Sequence, residues 1–158
     1  MNTEGVILVV DDTLESLKLM ADILVSEGYR IRPADSGRLA LSSIASQKPD
    51  LVLLDIRMPG MDGFEVCRRL KADDSTRGIP VIFLSATTEV AERVEGLKLG
   101  AVDFIAKPFQ KEELLARVRT HLELSRLRGF LERLVEERTQ EIVHLKNYLS
   151  NIIDSMPS

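Results

Sequence analysis

Asp50-Leu51-Val52-Leu53-Leu54-Asp55-Ile56-Arg57-Met58-Pro59-Gly60-Met61-Asp62-Gly63 sets an apolar run between Pro49 and a Pro/Gly turn, with an acid at its end. A run of this length and punctuation predicts a buried strand that stops at a loop. Asp55 then stands where a parallel strand meets its following loop, the usual place for chemistry in an open α/β sheet. Taken alone, such an aspartate is more often a helix cap or a turn residue.

Three more strand candidates change that reading. Val6-Ile7-Leu8-Val9-Val10 runs into the pair Asp11-Asp12, Val81-Ile82-Phe83-Leu84 into Ser85-Ala86, and Asp103-Phe104-Ile105-Ala106 into Lys107-Pro108-Phe109. The segments between them have helical periodicity, so the strands are expected to pair in parallel through right-handed crossovers. The polar ends then meet on one edge of the sheet. Carboxylates gathered there repel one another, so the site needs a cation or raised pKa values. A hard divalent ion such as magnesium suits an oxygen-rich, partly hydrated set.

Asp11-Asp12, Asp55 with its Met58–Gly63 turn, Ser85-Ala86 and Lys107-Pro108-Phe109 together resemble the receiver domain of two-component response regulators, over roughly residues 5–125. The resemblance implies that Asp55 accepts a phosphoryl group from a phosphohistidine on a sensor kinase or histidine phosphotransfer protein. It implies Mg2+ held by Asp12, by Asp11 directly or through water, by Asp55 and by the backbone carbonyl of Arg57. Lys107 would supply a fixed positive charge and Ser85 a hydroxyl for the phosphoryl oxygens. Phe104 would be the aromatic partner of Ser85 in a switch, where many relatives have tyrosine; a constant core role for Phe104 is the alternative. The family commonly has a cis bond before the residue matching Pro108. Arg57 and Thr87, two positions beyond Asp55 and Ser85, border the site; Arg57 could shield the acyl phosphate or pair with a neighbouring acid.

Element by element, a helix is expected after Asp12 through Leu14, Leu17, Leu19-Met20 and Ile23-Leu24 to Gly28, followed by an edge strand at Tyr29–Arg32 before Pro33. Ser36 and Asp62 are placed as starts of the second and third helices, and Thr87 or Thr88 as the start of the fourth. Ile79 is placed at the beginning of the Ser85 strand. The expected fold is a flavodoxin-like (βα)5 doubly wound parallel sheet, order 2-1-3-4-5, with a long C-terminal helix.

From Lys111 up to Pro157 there is no proline, and Gly129 is the only glycine. Leu114-Leu115, Val118 and Leu122 suit the last helix of a domain at 1–122, leaving 123–158 as a helical extension. Leu124, Leu127, Leu131 and Leu134 step like a coiled-coil seam. Ile142, Leu145, Leu149, Ile152 and Met156 repeat the step in another phase. Leu131 to Ile142 spans eleven residues rather than seven, a stutter that places Arg138 near the seam. A helix over Lys111–Asp154 would be roughly 65 Å long, too long to pack wholly on one domain, so a parallel homodimer is expected; a frayed tail or a helix folded back on the sheet is the alternative. Leu134–Ile142 resembles a signalling helix of hybrid kinases, and Asn147–Ser158 the lead-in helix of a PAS domain. The chain is therefore expected to be part of a longer signalling protein. His121 and His144 sit in no His-Glu dimerisation box and are read as exposed or half-packed.

A 44% hydrophobic fraction with only 4% aromatics predicts an aliphatic core. The formal net charge of −4 offers nucleic acid no attraction. The single cysteine, Cys67, excludes an internal disulfide and is read as a packed side chain. No apolar run approaches the ~20 residues that span a bilayer, so a cytoplasmic protein without membrane contact is expected. An aspartate-nucleophile phosphohydrolase of the haloacid dehalogenase type would carry a second Asp where Arg57 stands, which argues against an enzyme of that class. A phosphate-independent interaction module has no need of Asp11, Asp12, Asp55, Ser85 and Lys107 together.

Overall fold

The computed structural model describes residues 5–87 and 89–157. Strands β1 (Val6–Val10), β2 (Arg30–Ala34), β3 (Leu51–Asp55), β4 (Val81–Ser85) and β5 (Asp103–Ala106) alternate with helices α1 (Leu14–Ser26), α2 (Gly37–Ser46), α3 (Gly63–Ala72), α4 (Val90–Lys98) and α5 (Lys111–Asp154). The strands form one sheet in the order β2-β1-β3-β4-β5, and every pairing is parallel. This is the flavodoxin-like arrangement expected from the strand runs.

The near-continuous apolar strands follow from helices covering both faces of a parallel sheet. Successive side chains point to opposite faces. Leu8, Val10, Val52, Leu54, Val81 and Phe83 pack with Ala40 and Ile44 of α2 and Val66, Cys67 and Leu70 of α3. Ile7, Val9, Leu51, Leu53, Ile82 and Leu84 pack with Leu17, Met20 and Leu24 of α1 and with Leu114, Val118 and Leu122 of α5. Burial pushes the Cys67 thiol above its ordinary pKa, in keeping with a packed side chain.

Local chemistry sets the element ends. Ser36 Oγ accepts from the Leu39 N–H at 3.1 Å, and Asp62 Oδ1 from the Glu65 N–H at 2.9 Å. Each cap satisfies a donor left over in the first helical turn. Gly60 bends the β3–α3 loop with φ of 78°. A Cβ at Gly63 would lie 2.3 Å from the Asp55 carbonyl oxygen. Only glycine lets α3 start this close to the end of β3.

Four details differ from the sequence reading. β2 begins at Arg30 and runs through Pro33, which an edge strand tolerates because one side needs no ladder donor. β4 begins at Val81, after Pro80, so Ile79 precedes it. In α1, Leu14 and Leu19 are exposed; Leu14 opens the helix, and Leu19 lies about 200° around the axis from Leu17. Thr87 does not start α4: its Oγ1 accepts from the Glu89 N–H at 3.2 Å, one residue before the helix, while Thr88 lies outside the described residues.

The chain divides into two compact units between Glu123 and Leu124. In the second, Leu124, Leu127, Leu131, Leu134, Ile142, Leu145, Leu149 and Ile152 are all exposed. The Arg138 guanidinium reaches Glu141 of the same helix at 3.4 Å.

Candidate functional site

The C-terminal ends of β1, β3, β4 and β5 bring the expected side chains to one edge of the sheet. β1 and β3 are neighbours, and a carboxylate oxygen from each of Asp11, Asp12 and Asp55 lies within 4.8 Å of the others. Asp11 is fully buried, Asp55 nearly so, and Asp12 is exposed. Lys107 reaches across from the end of β5. Its Nζ donates to Asp11 Oδ2 at 2.6 Å and stands 3.5 Å from Asp55 Oδ2. Asp11 Oδ1 accepts from the Thr13 N–H at 2.9 Å, which pins the acid as α1 begins. The Lys107 N–H bonds the Ser85 carbonyl at 2.7 Å, and the Lys107–Pro108 peptide is cis.

Burial raises the Asp55 carboxyl from 3.8 to about 6; Lys107 opposes this, and the charges of Asp11 and Asp12 add to it. Desolvation and like charge both disfavour the ionised form, so a cation bound among these acids would relieve the site. Three carboxylates and no soft donor fit a hard divalent ion. The residues present therefore suit magnesium.

Ser85 lies at the end of β4, its hydroxyl donating to Glu92 Oε1 at 3.2 Å and accepting from the Thr87 N–H at 3.1 Å. Glu92 Oε2 meanwhile accepts from Arg57 Nη2 at 3.1 Å. Of the two roles open to Arg57 in the sequence, the structure has the pairing with an acid. Glu92 itself was not singled out by sequence reasoning: it lies on α4, outside every strand-end motif. A pocket of about 470 Å³ opens here, bordered by Arg57, Met58, Pro59, Phe64 and Glu92.

Phe104 is half-buried. Its ring lies 5.6 Å from that of Phe83, centroid to centroid, with the Arg93 guanidinium carbon 6.0 Å from its centroid. A Cβ at Gly96 would stand 2.7 Å from Phe104 Cε2, so the missing side chain is what lets α4 rest on this ring. His121, read as exposed or half-packed, is half-buried with Nε2 2.9 Å from Asp103 Oδ2. His144 is exposed.

The family model described as the response regulator receiver domain matches residues 7–119. The chain is 46% identical over 114 residues to the response regulator PleD of Caulobacter vibrioides, covering 72% of this chain and 25% of PleD. It is 44% identical over 116 residues to the DNA-binding response regulator MtrA of Mycolicibacterium paratuberculosis, covering 73% of this chain and 50% of MtrA. The chain thus spans a quarter to a half of these relatives. The structure of the Vibrio cholerae chemotaxis protein CheY4 superposes with a TM-score of 0.71 at 28% identity, over 75% of this chain and 98% of that one.

Proposed function

The chain belongs to the response regulator receiver domain family, and from that premise we propose that residues 1–122 form a phospho-accepting receiver in a phosphorelay, with Asp55 as the acceptor. The carrying observation is the convergence of Asp11, Asp12 and Asp55 within 4.8 Å, with Lys107 bonded into the group. The donor is a phosphohistidine on a sensor histidine kinase or a histidine phosphotransfer protein. An Asp55 carboxylate oxygen forms the new bond to phosphorus as the bond from imidazole nitrogen breaks, and the donor histidine leaves. Such transfers pass through a loose transition state, so the protein mainly positions groups and balances charge.

Asp11, Asp12, Asp55 and the Arg57 carbonyl would hold magnesium, which when bound neutralises phosphoryl charge. Lys107 contributes the fixed cation beside Asp55, and Ser85 donates its hydroxyl to the attached phosphoryl group. Phe104 follows Ser85 as the switch element. The reading is of a signalling domain; any kinase or cyclase output belongs to another domain. No helix among the described residues is long and apolar enough to cross a membrane. A cytoplasmic site of action, with no nucleic-acid or membrane contact by this chain, is part of the proposal.

Residues 123–158 carry the state onward as a parallel homodimeric coiled coil leading toward a following PAS-like domain. Support comes from the exposed apolar stripe, which a second copy with the same heptad spacing covers in register. Parallel pairing delivers two receiver inputs to two outputs side by side.

Two experiments test the site. Calorimetric titration is expected to show one magnesium site, weakened more than about tenfold by Asp12→Ala, since even outer-shell partners of a metal are worth that much; equal affinity in the variant removes the metal assignment. Ser85→Ala is expected to accept phosphate yet lose most of the phosphorylation-dependent change in conformation or assembly. Lys107→Ala is expected to lose it as well. Full retention in both variants contradicts the switch.

A further inference from the structure

Among the described residues, Glu92 is the carboxylate that touches both Ser85 and Arg57, which flank the acceptor on the α4 side, and the proposed receiver chemistry has no use for it. Its two oxygens are divided: Oε1 takes the Ser85 hydroxyl and Oε2 the Arg57 guanidinium. Its side chain is 9% exposed, whereas that of Arg57 is 75% exposed. The Arg57 pair is therefore solvent-screened and adds little by itself. The Ser85 bond lies deeper and matters more.

A serine hydroxyl has a single proton to donate. While Glu92 Oε1 accepts it, no phosphoryl oxygen on Asp55 can. A phosphoryl group there adds a charge of roughly −1.5 to −2 and three strong acceptor oxygens, competing for Ser85 and Arg57 and repelling the Glu92 carboxylate.

We propose that Glu92 is a positioning residue, an internal anion that holds Ser85 and Arg57 in the unphosphorylated state and is displaced when Asp55 carries a phosphoryl group. The inference rests on the reading of Asp55 as phosphoacceptor. It also supplies a mechanical link. Glu92 rides on α4, whose buried residue is Gly96, and Gly96 and Arg93 are the points at which α4 meets Phe104. Expulsion of Glu92 shifts the element that backs the Phe104 ring, so the state of Ser85 reaches the aromatic through α4.

The test is a fluorine NMR titration of the full chain with beryllofluoride, an acyl-phosphate mimic, in magnesium buffer. Glu92→Gln keeps the shape but loses the charge, and its amide can donate to the bound anion. It is expected to bind beryllofluoride about tenfold more tightly than the wild type, the worth of one charge-assisted hydrogen bond. Its magnesium affinity without beryllofluoride is expected to match the wild type. Should Glu92→Gln not fold, Glu92→Ala, which removes the carboxylate and frees the Ser85 hydroxyl and the Arg57 guanidinium, is expected to bind beryllofluoride more tightly than the wild type. Unchanged or weaker beryllofluoride binding overturns the proposal, and so does an altered magnesium affinity, which would show that the substitution distorts the acid cluster. Asp55→Asn separates the two readings: it is expected not to bind beryllofluoride. If Asp55→Asn binds it as the wild type does, or the wild type does not bind at all, the phosphoacceptor reading fails and the role of Glu92 with it.

Discussion

In chelator at pH 7.5, Asp55→Asn is expected to be more stable than the wild type by up to about 3 kcal/mol, less what solvent screening removes, and near pH 4 the difference is expected to vanish. Asp55 lies in the metal-free fold with its carboxyl lifted from 3.8 to about 6, chiefly by burial. The native state therefore holds a proton that the unfolded chain has released between about pH 4 and pH 6. Stability changes with pH in proportion to the protons bound by the unfolded state minus those bound by the native state. That difference is negative here, so stability falls as pH rises through this window. The loss is absent below the unfolded value and complete above about 6, at ~1.4 kcal/mol per pH unit. Asparagine removes the charge while keeping the shape. Urea denaturation at the two pH values checks this; equal stability of the two proteins at pH 7.5 would contradict a raised Asp55 carboxyl in the fold.

The second large effect concerns the tail. The full chain is expected to be a dimer, and a version ending at Arg126 a monomer, with association weakened by two orders of magnitude or more, ~3 kcal/mol. Eight exposed leucine and isoleucine side chains per copy leave water on pairing, at roughly 25 cal/mol per Å² before association costs. In the proposed coil, the eleven-residue step from Leu131 to Ile142 would interrupt the seam beside Arg138, the point where a small rotation is proposed to pass along it. Light scattering on both versions decides. A dimer that survives truncation moves the interface to the receiver, and a full-length monomer at high concentration removes the coiled coil.

Much of the fold was legible because β1, β3, β4 and β5 are largely apolar runs that each lead into their own polar residue. Asp11, Asp55, Ser85 and Lys107 could thus be placed at one sheet edge before any contact was known. The caps at Ser36 and Asp62 were legible for a similar reason, since the signal and its target lie three residues apart. What escaped depends on contacts between distant segments. Glu92 is thirty-five residues from Arg57, and nothing local to either marks the pair. Asp103 holds Arg117 through both carboxylate oxygens and His121 through one, a grouping set by the packing of α5 against β5. Burial would raise the Asp103 carboxyl, but these bonds outweigh it and hold it below its ordinary value. Thr87 misled because threonine stabilises a turn with the same hydroxyl geometry that caps a helix.

The most direct measurement is the intact mass of the full chain after incubation with magnesium and a small phosphodonor, beside Asp55→Asn treated identically. A single phosphoryl adduct on the wild type and none on the variant is the predicted result. An adduct of equal yield on Asp55→Asn, or none on the wild type, would contradict the assignment of Asp55 as the acceptor.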